Sequence, residues 1–87
     1  MLIEPKTAAE NKVVKVNSGQ SISVRGTLVA ENITLSIPDG AGGWVALSMG
    51  GSAVVLSATD NHLPFTGNIL VRVEKPITTN LVGVTIV

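Results

Sequence analysis

The sequence predicts an all-β fold, a small antiparallel β-sandwich or jelly-roll-like barrel of about seven short strands with an extended N-terminal arm. Three observations carry that prediction. Apolar and polar residues alternate with the period of two that puts successive strand side chains on opposite faces. Turn-forming clusters punctuate the chain at intervals close to those of sandwiches and barrels. No stretch shows the helical period. The clearest alternation lies in the middle, where Ile33, Leu35 and Ile37 share one face and Thr34 and Ser36 the other. Pro38-Asp39-Gly40 then turns the chain, and Val45, Leu47 and Met49 form the next apolar face.

In chain order, residues 1–11 are mixed and aperiodic, and read as an arm whose Leu2 and Ile3 could dock on a neighbour or simply fray. Lys12 to Val16 is a short strand whose lysines suit an edge. Asn17-Ser18-Gly19 is a turn. Gln20 to Leu28 alternates, with Ile22 and Val24 on one face, and Gly26 marks a bulge or bend. Asn32 to Ile37 and Trp44 to Met49 form the central hairpin. Gly50-Gly51 is a hairpin-type turn. Ser52 to Thr59 is a strand buried on both sides. Asp60 to Thr66 is a loop, because Asn61 favours turns and Pro64 interrupts a ladder. Gly67 to Glu74 places Ile69, Val71 and Val73 inward. Lys75 to Asn80 is a connection, and Leu81 to Val87 is the closing strand. The expected organisation is therefore an arm over 1–11 and a single β-sandwich domain over 12–87.

Composition narrows the function. The 87 residues contain no Cys and one His, so disulfides are absent and a structural zinc site is not expected. Charged residues make up 14% of the chain against about 25% in ordinary domains. A surface so poor in charge fits one partly covered by a partner. Six basic residues balance six acidic ones, and Trp44 and Phe65 are the only aromatics, so nucleic-acid binding lacks its electrostatic and stacking signatures. No apolar run approaches a membrane span. The N-terminal residues lack the basic and apolar regions of a signal peptide, so the expectation is a chain made and kept in a cytoplasm.

Catalytic and metal chemistry find little support. Nucleophilic catalysis needs a nucleophile, a base and an orienting group together. The one base of that type, His62, lies in a loop, and the serines and threonines alternate along strands. The acids Glu4, Glu10, Glu31, Asp39, Asp60 and Glu74 stand singly. Asp39 is explained by its turn, its side chain bonding the local backbone. The glycine-rich loop over residues 40–43 lacks the Lys and helix of a phosphate loop. No catalytic residue, cofactor site or metal site is expected. Asn32-Ile33-Thr34 matches a glycosylation pattern by chance. Trp44 faces away from the inferred core. It is either a cap over the end of the sandwich, the favoured reading, or an aromatic anchor for a partner. The candidate partner-contact residues are Leu2, Ile3, Lys12, Val14 and Trp44. The strands Lys12 to Val16 and Leu81 to Val87 are the expected edges, open to strand addition.

A family resemblance lies in the order of short motifs. Gly26-Thr27-Leu28, Ile33-Thr34-Leu35, Pro38-Asp39-Gly40 and Gly43-Trp44-Val45-Ala46-Leu47 come first, then Val71-Arg72-Val73, Lys75-Pro76 and Val82-Gly83-Val84-Thr85-Ile86. In this order the chain, over residues 20–87, resembles small virion structural proteins of tailed bacteriophages. Ile37 stands where those proteins carry Ser before the turn, and the loop here is not Thr-rich. The resemblance implies a non-enzymatic head decoration (cement) protein located in the virion. It implies a homo-oligomer, with a trimer favoured, whose partner is the major capsid protein or another virion protein, with no nucleic acid and no membrane involved. The alternative is a tail- or fibre-associated binding module that recognises a glycan or protein receptor, with Trp44, His62 and Asp60 on one loop face. A third reading, a small hydrolase, requires His62 within hydrogen-bond reach of a Ser or Thr in a pocket.

Overall fold

The computed structural model describes residues 1–49 and 51–87. Gly50, half of the expected Gly50-Gly51 turn, lies outside them. The described residues form β1 (Ile3–Lys6), β2 (Glu10–Val16), β3 (Ser21–Arg25), β4 (Ile33–Pro38), β5 (Trp44–Ala46), β6 (Ser48–Met49), β7 (Ser52–Ala53), β8 (Val55–Leu56), β9 (His62–Pro64), β10 (Ile69–Lys75) and β11 (Val82–Ile86), with no helix. The first sheet has the order β1-β11-β3-β9, and the second runs β2-β10-β4-β5 with β8 also on β4. Every pairing is antiparallel. The fold is all-β and antiparallel as the alternation predicts, and of the sandwich and barrel alternatives it is the small sandwich.

The register explains the core. Directly opposed residues in an antiparallel pair share a face. Val71 opposes Val14, and Val73 opposes Leu35, so these side chains point inward together. On the first sheet Val84 opposes both Ile3 and Val24. Ile3, Ile22, Val82 and Val84 from the first sheet meet Val16, Ile33, Leu35, Val71 and Val73 from the second, all fully or almost fully buried. Leu28, Leu47, Leu56 and Phe65 complete the cluster from loops and margins.

Five segments depart from the sequence expectation, each for a reason of pairing. The N-terminal arm is extended, but it lies on the sandwich as edge strand β1. The Leu2 amide donates to the Val84 carbonyl at 2.9 Å, and Ile3 fills the core. The boundary expected between residues 11 and 12 falls inside β2. Because β1 covers β11 on one side and β3 on the other, Leu81 to Val87 is an interior strand rather than an edge. Glycine makes that cover possible. A Cβ at Gly83 would lie 2.5 Å from the Ile3 carbonyl oxygen and 2.8 Å from the Pro5 nitrogen.

The expected strand Trp44 to Met49 is broken at Leu47. Its amide still donates to Leu35 at 2.9 Å, and its carbonyl accepts from Val54 at 2.7 Å. Between those bonds the chain leaves the sheet as the small β6–β7 hairpin. β8 then occupies the remainder of the β4 edge, with Ile33 opposite Leu56. The strand expected over Ser52 to Thr59 is split into β7 and β8 by the same excursion. The segment Asp60 to Thr66, expected as a loop, contains β9. Pro64 is tolerated there because β9 is an edge.

Candidate interaction surface

The outward face of the second sheet collects the side chains with the most to offer a partner. Arg72 opposes Val13 on β2 and Ser36 on β4, and Trp44 on β5 opposes Pro38 on β4. Lys15 opposes Leu70 at one end of this face, and Asn11 opposes Glu74 at the other. Val13 is 51% and Leu70 42% exposed. The guanidinium of Arg72 stands 5.9 Å from the centre of the Trp44 ring, within the range of a cation–π contact. Arg72 Nη2 also reaches Glu74 Oε1 at 3.3 Å, and Glu74 Oε2 accepts from Thr34 Oγ1 at 2.9 Å. Arg72 is thereby held over the ring from one side and against a carboxylate on the other. The result is a mixed face, apolar at Val13, Leu70 and Trp44, with an ordered polar row beside them.

Trp44 is therefore neither a cap on the core nor a fully exposed anchor. It is half-buried on the solvent side of the second sheet, beneath Arg72. The other expected contact residues separate. Ile3 is 0% exposed and has no surface left for a partner. Leu2 and Val14 are half-buried against the core, because Val14 takes the inward register opposite Val71. Lys12 is exposed at the edge and lies 3.9 Å from Glu10. Lys12 to Val16 is an edge, as the lysines suggest, since among the described residues β2 pairs with β10 alone. A charge in the inward register of an edge strand discourages uncontrolled pairing.

His62 stands opposite Ser23 across β3 and β9 on the solvent face, and among the described residues no hydrogen bond joins them. Asp60 and His62 line a groove between β8 and β9 that Trp44 does not line. The three residues of the receptor-binding alternative are thus not gathered on one face. Asp39 does what its turn asks: Oδ1 accepts from the Ala41 amide at 2.7 Å and the Gly43 amide at 3.0 Å. Those bonds hold its carboxyl below the usual aspartate range.

One cluster escapes sequence reading. Lys75, at the inward end of β10, is 1% exposed. Its Nζ donates to the Ala8 carbonyl at 2.8 Å, the Pro76 carbonyl at 3.1 Å and Thr78 Oγ1 at 3.1 Å. Thr78 Oγ1 in turn donates to the Asn80 carbonyl at 2.8 Å, and the Thr78 amide bonds Thr7 at 2.9 Å. The knot ties the β1–β2 link to the β10–β11 link. Burial, and then the charge of Lys6, push the Lys75 ammonium below its ordinary pKa. The one sequence signal was that Lys75 continues the inward register of Val71 and Val73.

No protein-family model matches the chain, and no curated protein or solved structure matches it significantly.

Proposed function

We propose that the chain is a non-enzymatic structural protein of a tailed-phage virion, a decoration protein that binds the capsid lattice and stabilises it. The observation that supports this reading best is the outward face of the second sheet, where Val13 and Leu70 remain exposed on the same face as Trp44, on a chain with few charges. A face of that composition suits a partner that covers it. The mechanism is mass action. A ligand that binds the assembled lattice and not its free subunits stabilises assembly according to its affinity and concentration. The partner is the major capsid protein or another virion protein, and the protein acts as a homo-oligomer, a trimer by family resemblance. With Ile3 in the core, the contact elements become this face and the β2 edge rather than a free arm.

The test is co-sedimentation with phage heads stripped of accessory proteins, beside light scattering of the free protein. Leu70→Glu is expected to lower head occupancy at least about tenfold, the scale of a lost central contact, while leaving the circular dichroism spectrum unchanged. Full occupancy by Leu70→Glu would remove this face from the contact. Absence of binding by the unaltered protein would remove the decoration role itself.

A further inference from the structure

We propose that the groove between β8 and β9 binds an extended peptide by strand addition to β9, with apolar side chains in the groove and a Lys or Arg beside Asp60. This inference stands apart from the virion reading, because it rests on the backbone and side chains of one margin of the sandwich.

The backbone pattern comes first. Val24 donates to Asn61 at 2.9 Å, and Phe65 donates to Gln20 at 2.9 Å. Each of these is an opposed pair in the β3–β9 register, in which Ile22 also opposes Leu63 and Ser23 opposes His62. In an antiparallel ladder, bonded and non-bonded pairs alternate. Asn61, Leu63 and Phe65 therefore turn their backbone groups toward β3, and His62 and Pro64 turn theirs away. The His62 N–H, the His62 carbonyl and the Pro64 carbonyl consequently face outward from the sheet edge. Such a row is the template for an added strand.

The space beside that edge is shaped for side chains. The groove has a volume of about 320 Å³ and is lined by Val54, Val55, Leu56 and Leu63, with Asp60 and His62 at its rim. Leu56 is buried and gives an apolar floor, while Val54 and Leu63 are half-buried walls. The Asp60 carboxylate makes no hydrogen bond or ion pair among the described residues. Its backbone is fixed by the Ser57 side chain at 3.2 Å. The occupant that fits these features is an extended segment alternating apolar and polar residues, with one cation on its outward side. The apolar residues meet Val54, Leu56 and Leu63, the peptide backbone meets His62, and the cation meets Asp60.

The probe is the blocked peptide acetyl-Thr-Val-Lys-Val-Thr-amide, added up to about 1 mM, a range that captures weak binding, to the full chain labelled with ¹⁵N. The expected result is saturable amide shifts centred on His62, Leu63 and residues 54–56. Methylating the Lys backbone nitrogen of the peptide, which removes the donor to the His62 carbonyl, should abolish those shifts. Replacing the peptide Lys by Glu should weaken binding about fivefold, the scale of a charge at a rim, and Asp60→Lys should reverse that preference. The proposal is overturned by the absence of shifts, by shifts centred on residues 10–16 of β2, by equal binding of the methylated peptide, or by an unchanged preference in Asp60→Lys.

Discussion

Lys75 shows how a single side chain can organise a margin of this fold. Its three oxygen partners belong to two different links, so replacing it affects more than one element. Lys75→Met leaves the Ala8 and Pro76 carbonyls and Thr78 Oγ1 without this donor. The expected loss is about 1–3 kcal/mol, the cost of buried acceptors left unpaired, read from the denaturant midpoint. The pH dependence follows from the direction of the shift. The folded pKa lies below the ordinary lysine value of 10.5, so the unfolded chain holds this proton more tightly. The penalty is full at neutral pH and is relieved as pH rises through the folded value toward 10.5. The unaltered protein should therefore gain stability relative to Lys75→Met over that alkaline window, and a constant difference would contradict the assignment. Asp39 behaves in the opposite sense. Its lowered pKa contributes stability above the unfolded aspartate value, lost as pH falls through the folded value. Asp39→Asn keeps an acceptor oxygen and should remove that part of the acid dependence. Trp44 should show acrylamide quenching between that of free indole and of a buried ring, and Arg72→Ala should increase it.

At the scale of elements, β1 is the strand on which the reading of the N-terminus turns. A free arm would leave the stability of the isolated chain insensitive to Ile3. A core strand would not, and Ile3→Ala is expected to cost about 2–5 kcal/mol, as for other buried aliphatics cut to Ala. Gly83→Ala tests the same strand from the opposite side. Its methyl group would meet the β1 backbone rather than a flexible side chain, so β1 must move. Hydrogen exchange should then quicken at Leu2 and along β1, while the β2–β10 ladder stays protected. The strands that alternation located well, β3, β4, β10 and β11, are those whose inward residues are branched and apolar. β1 was illegible because Ile3-Glu4-Pro5-Lys6 offers one apolar residue and a proline. β9 was illegible because Asn61 just before it favours turns and Pro64 interrupts a ladder, which is tolerated only at an edge.

For the whole molecule, the outward face of the second sheet is the surface on which the proposed partner binding can be tested apart from stability. Val13 and Leu70 lie outside the core, so Val13→Glu and Leu70→Glu should shift stability by no more than about 0.5 kcal/mol, as surface substitutions do. A large loss of stability would mean that these residues support the sheet rather than face a partner. The low charge content pointed to such a face, but not to its position. That position depends on which register places Trp44, Arg72, Val13 and Leu70 on one side, and cross-strand register is set by pairing between distant segments.

The period-two alternation by itself determined that this chain is built of short strands, which faces of β3, β4, β10 and β11 are apolar, and that Asp39 closes a turn. Those are local properties, fixed by neighbours in sequence. Tertiary structure alone decided that the arm is a strand, that β11 is interior, and that β5 and β8 share one edge of β4. It also decided that Lys75 is buried, that Trp44 lies beneath Arg72, and that Asp60 and His62 rim a groove. Each of these depends on which strand lies beside which, and that order follows from packing two sheets together rather than from the residues of any one strand.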